Sequence, residues 1–407
     1  MSETTNAVFA AVPDDVMPAQ GAPVEGTQVD AGQADAVRSD AGADDAPGPS
    51  AATPRSMRAA VLTGVETIDH RRIAAPVPGP GDLLVRVRAT GICGSDLAAW
   101  RGTHPYKTAP AVLGHEFSGV VEHVGAQVSG FEPGDLVCSA AFSHCDACPD
   151  CLRGAGHLCA HKENLSHLDW TGSFAELVVL RPNMTHRLPA GLDPVAGALV
   201  EPLSIARHAM RRTGHGEGRS VLVLGSGTIG LGCLIAAKRL GYGTVACVDL
   251  GPAKGGAARR AGADSYVDAA ATDPAEAALQ ALGGPADVVV IAAGYPGVTD
   301  QALKTVRPGG DVVVVSYFAD RHPVDLNTLV GREVTVHGSA LSTAQDFADV
   351  IAWLAAGEID PLPLATDHFP LSRTDAALRR MADPSTPTGK IVLHPDPAHL
   401  ENGAKNR

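Results

Sequence analysis

Hydrophobic and polar positions change their rhythm along this chain, and the changes divide it into parts. Over 1–56 no apolar period of 2 or 3.6 appears; the stretch is rich in Ala, Asp, Gly and Pro, with Phe9 its one aromatic. Such a segment buries too little apolar surface to offset the entropy of ordering, which predicts a disordered acidic extension. From Met57 short strand-like runs take over, at 58–62, 83–89, 119–124 and 136–139, punctuated by turns such as Pro78-Gly79-Pro80-Gly81. They predict a β-rich domain over 57–209. From about Ser220 strands (221–224, 244–249, 287–292, 311–316) alternate with helices beginning at Thr228, near Ala253 and at Val298. This alternation predicts a doubly wound parallel sheet with helices on both faces, over 210–343. After Val336 the pattern gives a helix over 347–356 and an apolar strand over 390–393. The segment 344–395 is therefore expected to return to the β-rich domain, with 396–407 as a tail. The fold class is α/β.

Composition narrows the partners. The chain has 407 residues, 45% apolar and 19% charged, enough for two domains with their own cores. Its net charge is -13, of which 1–56 carries -7. That balance repels nucleic acid and anionic membrane and leaves a small molecule as the expected ligand. The opening residues include Glu3 and no apolar signal region, so a cytoplasmic protein is expected. The extension reads as a dispensable tail or as sequence upstream of a start at Met57. The most apolar stretch, 221–237, is broken by Gly225, Gly227, Gly230 and Gly232 and falls short of the roughly 20 residues of a membrane span.

Cys145, Cys148, Cys151 and Cys159 form one run, C-x2-C-x2-C-x7-C. Four thiolates so spaced can close a tetrahedral shell around one Zn2+, leaving no position for chemistry. The run thus predicts a structural zinc lobe over 138–162. Disulfides are the poorer reading for cysteines two residues apart, and a nucleic-acid zinc ribbon lacks its stripe of Lys and Arg. The neighbouring His144, His157, His161 and His167 are expected at the surface, and Cys138, Cys233 and Cys247 in the core.

The string GSGTIG, from Gly225 through Gly227, Thr228 and Ile229 to Gly230, follows an apolar strand and opens a helix, and Asp249 ends the next strand. In that setting it reads as a dinucleotide fingerprint: a tight turn at Gly225, backbone approach to pyrophosphate at Gly227, close packing at Gly230. Asp249 would accept from the adenosine ribose and repel a 2'-phosphate, so NAD is expected over NADP.

Cys93 in GICGSD and His115-Glu116 in GHEFSG lie in turns of the β-rich part, and Glu201 in VEPLS precedes a helix. A Cys, a His and one or two Glu could hold a second zinc with a position open to substrate. With these motifs in this order, residues 57–393 resemble the zinc-dependent medium-chain alcohol dehydrogenases, closest to the polyol branch of sorbitol-, L-idonate- and threonine-dehydrogenase-like enzymes.

The resemblance implies a GroES-like catalytic domain beside a Rossmann domain, two zincs per chain, NAD, and a homodimer or homotetramer. It implies that Cys93 and His115 bind the catalytic zinc, joined by Glu116 or Glu201. It also implies that Ser95 passes a hydroxyl proton outward, that Asp96 orients local backbone, and that Lys254 touches the adenosine ribose. Two positions depart from the family pattern. Ala98 stands where many relatives continue a proton relay with histidine, and Leu341-Ser342 stands where sorbitol-type enzymes hold the polyol with an Arg-Tyr pair. The expected reaction is hydride transfer between NAD(H) and a secondary alcohol or ketone of a polyol, cyclitol or sugar-like molecule. The alternative is a non-catalytic dinucleotide-binding sensor or scaffold that retains the fold.

Overall fold

In the first strand, β1 (Ser56–Gly64), Met57 and Ala59 turn inward while Ser56 and Arg58 face water, the period of a sheet with one covered face. The computed structural model describes residues 55–396 apart from 215, 271–272, 319–320, 384 and 386–388. The acidic extension expected over 1–56 lies outside these residues except for Arg55 and Ser56, as does the expected tail except for Asp396.

After β1 come β2 (Thr67–Ala74), β3 (Leu83–Gly91), α1 (Gly94–Trp100), β4 (Ala111–Val112), β5 (Glu116–Val124) and β6 (Leu136–Ser139). The cysteine lobe follows with β7 (Phe142–Ser143), α2 (Pro149–Leu152) and β8 (Glu163–Asn164). Then come β9 (Leu177–Leu180), β10 (Thr185–Arg187), α3 (Pro194–Ala198) and α4 (Val200–Arg211). β3 is buried along most of its length because it is central, antiparallel to β5 on one side and to β9 on the other.

The next segment alternates strand and helix: β11 (Val221–Leu224), α5 (Thr228–Arg239), β12 (Val245–Asp249), α6 (Gly255–Arg260), β13 (Ser265–Asp268), α7 (Pro274–Leu282) and β14 (Ala286–Ile291). It continues through α8 (Val298–Thr305), β15 (Val306–Val314), α9 (Leu326–Arg332) and β16 (Thr335–Gly338). These strands form one parallel sheet in the order β13-β12-β11-β14-β15-β16, a doubly wound arrangement whose chain reversal lies beside β11. Near Ala253 only a short 3-10 turn, Pro252–Lys254, precedes α6. The strand expected over 311–316 starts earlier, because Val306 already pairs with Ala286, and it ends at Val314.

Helix α10 (Ala344–Ala355) starts three residues before the expected 347, since Thr343 and Asp346 close a capping box at its first turn. Beyond it, β17 (Ala365–Pro370), α11 (Thr374–Ala382) and β18 (Lys390–His394) complete the described fold. β18 pairs with β3 at Val392–Gly91 and Leu393–Thr90, so the last strand rejoins the first sheet. One apolar cluster runs from Phe117 and Met184 through Leu203 to Val221, Leu234 and Phe347, with α4 packed on α5 inside it. Among the described residues no helix is long and apolar enough to cross a membrane.

Candidate active site

The end of β3 gathers the reactive side chains. Two residues beyond Gly91, Cys93 caps α1, and Asp96 in the first turn of α1 returns its Oδ2 to the Cys93 amide at 3.0 Å. Asp96 Oδ1 accepts from the Gly114 amide at 3.3 Å and lies 3.6 Å from His115 Nδ1, so one buried carboxylate ties together the turns that carry Cys93 and His115. The register of β3 with β5 sets Glu116 opposite Gly91. Cys93, His115 and Glu116 consequently bring ligand atoms within 4.8 Å of one another. Glu201 enters from the first turn of α4, only 3% exposed, and its Oε2 has no hydrogen-bond partner among the described residues. An orphaned buried carboxylate oxygen beside a thiol, an imidazole and a second carboxylate suits a divalent metal of zinc's chemistry.

Charge around the cluster is arranged in buried pairs. Lys390, the first residue of β18, donates to Glu116 Oε2 at 2.5 Å and to the Ile92 carbonyl at 3.0 Å. Gly91 makes room for that pair: a Cβ there would lie 2.6 Å from Glu116 Oε2 and 3.1 Å from Lys390 Cδ. Burial raises Glu201 to about 7; the Glu116 charge adds to the rise, and His115, Lys390 and Lys107 oppose it. Burial would raise Asp96 too, but His115 and Lys107 outweigh it and hold the carboxyl well below the usual range. Lys107, 5% exposed, places Nζ 3.3 Å from His115 Nδ1 and 3.5 Å from Ser95 Oγ.

The four-cysteine run is also assembled. Its Sγ atoms lie 3.5 Å apart for Cys148–Cys151 and Cys145–Cys159, 3.8 Å for Cys148–Cys159 and 3.9 Å for Cys145–Cys151. A tetrahedral shell with Zn–S bonds of about 2.3 Å spaces its sulfurs about 3.8 Å apart. The lobe fits such an ion, and none of the four is in a disulfide.

At the cofactor loop Gly227 caps α5, and Thr228 and Ile229 form its first turn. A Cβ on Gly230 would sit 1.9 Å from the Gly225 carbonyl oxygen, so only glycine permits this turn, whereas one on Gly227 would meet nothing within 4 Å, leaving room for a ligand. Asp249, at the end of β12, accepts from the Ser226 amide and hydroxyl at 2.6 Å each and from Lys254 Nζ at 2.8 Å. Lys254 therefore faces the same carboxylate as the expected ribose.

The structure brings together Cys93, Ser95, His115 and Glu116, with Glu201 buried beside them, and separately the glycine loop with Asp249 and Lys254. Sequence reading missed Lys107 and Lys390, which stand in no motif. The signals that pointed to Lys390 were a lysine opening an apolar strand and the glycine that begins GICGSD, Gly91. Among the histidines expected at the surface, His157 is buried at 8% exposure, its ring edge-on to His208 at 4.8 Å. Cys138, Cys233 and Cys247 are fully buried or nearly so. Leu341 takes a left-handed backbone (φ 56°) and packs against the core, and Ser342 is buried.

Comparison with known proteins gives the family. Residues 79–190 match the family model described as alcohol dehydrogenase GroES-like domain, and residues 228–356 match zinc-binding dehydrogenase. A sorbitol dehydrogenase of Halalkalibacterium halodurans is 33% identical over 325 residues, 79% of this chain and 93% of that protein. The 2R,3R-butanediol dehydrogenase of Bacillus subtilis superposes with a TM-score of 0.77 at 29% identity, covering 84% of this chain and 100% of its own. A protein of Sinorhizobium meliloti 1021 described as a zinc-binding dehydrogenase and solved with NADP gives 0.78 at 30%, covering 84% and 100%. The chain belongs to the zinc-binding medium-chain alcohol dehydrogenase family, in its polyol branch, and is a nicotinamide-dependent oxidoreductase.

Proposed function

We propose that the protein interconverts a secondary alcohol and ketone of a polyol, cyclitol or similar sugar-like molecule, using NAD(H) and a zinc held by Cys93, His115 and Glu116. The observation that carries this reading is the convergence of those three ligand atoms within 4.8 Å, with the unpartnered Glu201 carboxylate beside them. A zinc held there would supply Lewis-acid polarisation of the substrate oxygen, and a dinucleotide held at the glycine loop would supply hydride chemistry. The chain's own residues do the rest. Ser95 relays the hydroxyl proton through Oγ, donating to the substrate oxygen in reduction and accepting from it in oxidation, with water as the outer partner, and Asp96 keeps the Cys93 and His115 turns in register. Lys390 neutralises Glu116, and burial raises the Glu201 carboxyl above the usual carboxylate range. A scaffold has no use for such a buried set.

Several finer points belong to this reading. The chain carries two zincs, the second in the four-cysteine lobe. NAD is preferred over NADP because the Asp249 carboxylate closes β12 where a 2'-phosphate would lie. The functional units are 57–209, 210–343 and the return over 344–395, in a cytoplasmic homodimer or homotetramer. The test is a panel of polyols, cyclitols and ketones followed by NADH and NADPH absorbance with zinc-replete protein. Turnover with NAD and two zincs per chain by metal analysis are expected. No turnover on any member sinks the reading, and a higher kcat/KM with NADP removes the NAD preference.

A further inference from the structure

Two lysines lie buried at this site, and they are held differently. Lys390 is fully engaged, by Glu116 Oε2 at 2.5 Å and the Ile92 carbonyl at 3.0 Å. Among the described residues Lys107 has no carboxylate that close: Asp96 Oδ1 is 3.8 Å from its Nζ, and Asp96 already serves two backbone amides and faces His115. Burying an ammonium whose one ion-pair partner is distant and shared is costly, so a site that retains one uses its charge or its donors.

The loop that carries Lys107 is fixed before any ligand arrives. His104 Nδ1 accepts from the Lys107 amide at 3.1 Å and from the Tyr106 amide at 3.4 Å, and its ring stands edge-on to Tyr106 at 4.5 Å. Burial and the Lys107 charge push His104 down to about 4, so the ring stays neutral and able to accept. The loop therefore carries the Lys107 ammonium into the site, 3.3 Å from His115 Nδ1 and 3.5 Å from Ser95 Oγ.

An ammonium has donors only. At Ser95 Oγ it can approach only as a donor, and it occupies the lone-pair side of that oxygen. The Ser95 hydroxyl proton is then directed away from Lys107. We propose that Lys107 is a positioning residue that acts through Ser95, fixing its hydroxyl as a donor toward the substrate oxygen in the ketone-reducing direction of the reaction assigned above. The proposal rests on that assignment, and Ala98, which carries no polar group, leaves Lys107 as the cation addressing Ser95 from this side.

The test compares Lys107→Met, Lys107→Arg, Ser95→Ala and the double variant Lys107→Met/Ser95→Ala in the full-length zinc-replete protein. Wild-type turnover is measured first and carries the dehydrogenase reading, so failure of that reading shows in the wild type and failure of this proposal only in the variants. Lys107→Met is expected to lower kcat about 30-fold or more with KM within about threefold, and Lys107→Arg to restore most of it. The double variant is expected to be no slower than Ser95→Ala, because residues acting through one group do not add. The visible spectrum of the cobalt-substituted protein is expected to be unchanged in Lys107→Met, which separates positioning from support of the metal ligands. Additive losses in the double variant, an unchanged kcat in Lys107→Met, or an altered cobalt spectrum would each overturn the proposal.

Discussion

At the four-cysteine lobe the ligand atoms are of one kind, three of the four cysteines are at least partly exposed, and the sulfurs face one another. At Cys93, His115 and Glu116 the ligands are mixed, His115 and Glu116 are buried, and Asp96, Lys107, Lys390 and Glu201 surround them. On the proposed reading the first arrangement would spend every coordination position on protein and need little from its neighbours, while the second would keep a position for substrate and need outer groups to hold its ligands and balance their charge. Ligand count alone would not separate brace from catalyst; the surroundings do.

Removing one thiolate from each cluster is the strongest way to break this comparison. Lewis-acid stabilisation is worth several kcal/mol, and each 1.36 kcal/mol is tenfold, so Cys93→Ser should lower kcat/KM about 1,000-fold or more. Its thermal midpoint should stay within a few degrees and one zinc should remain. Cys148→Ser should do the reverse, losing the other zinc and lowering Tm by about 10 °C before activity is affected at permissive temperature. Metal analysis, thermal melts and steady-state rates on both variants decide it. If both unfold alike, the division of labour is wrong.

Next in size is the choice between the two glutamates. Glu116→Gln should lower zinc affinity at the buried site more than Glu201→Gln, because Glu116 lies within the cluster of ligand atoms and its loss also strands the buried Lys390 ammonium. Removal of an outer partner costs about 10–100-fold in metal affinity, the effect expected of Glu201→Gln, and Glu116→Gln should exceed it. Competition with a chromogenic chelator measures both. The reverse ranking would make Glu201 the direct ligand.

What the sequence made legible followed the comparison closely. Groups held by local motifs were readable: the cysteine run, GICGSD, GHEFSG and GSGTIG each put several functional atoms within a few residues. Groups supplied by distant chain were not. Lys390 reaches Glu116 across 274 residues through the pairing of β18 with β3, and Lys107 comes from an irregular loop. A lysine is an improbable buried residue unless its partner is known, so composition points it to the surface. The same reasoning misplaced His157, which is buried with its ring edge-on to His208 of α4, a contact distant in sequence. Element boundaries slipped where a cap or a strand pairing decided them, as at Thr343 and Val306.

Helix α4 joins the two clusters, with Glu201 in its first turn and His208 in its last turn against His157 of the lobe. What seats its lower end is Asp346, fully buried in the first turn of α10, which pairs with Arg207 and accepts from His208 Nδ1 at 2.9 Å. Burial would raise the Asp346 carboxyl, but the hydrogen bonds from His208 and Thr343 outweigh it and hold the group well below its ordinary range. A carboxyl with a depressed folded pKa binds fewer protons folded than unfolded. Its stabilisation is therefore complete above about pH 4, the unfolded value, and is lost as pH falls below it. Asp346→Asn should destabilise the protein at pH 7 by about 3 kcal/mol, the loss expected when one partner of a buried pair is removed. It should also flatten the fall in stability below pH 4, while both zincs and the kcat at low temperature stay near wild type. Denaturant melts at pH 7 and at pH 3.5 test this. An equal pH slope in both proteins would mean that α4 is seated by packing alone and that the clusters are joined by shape and not by charge.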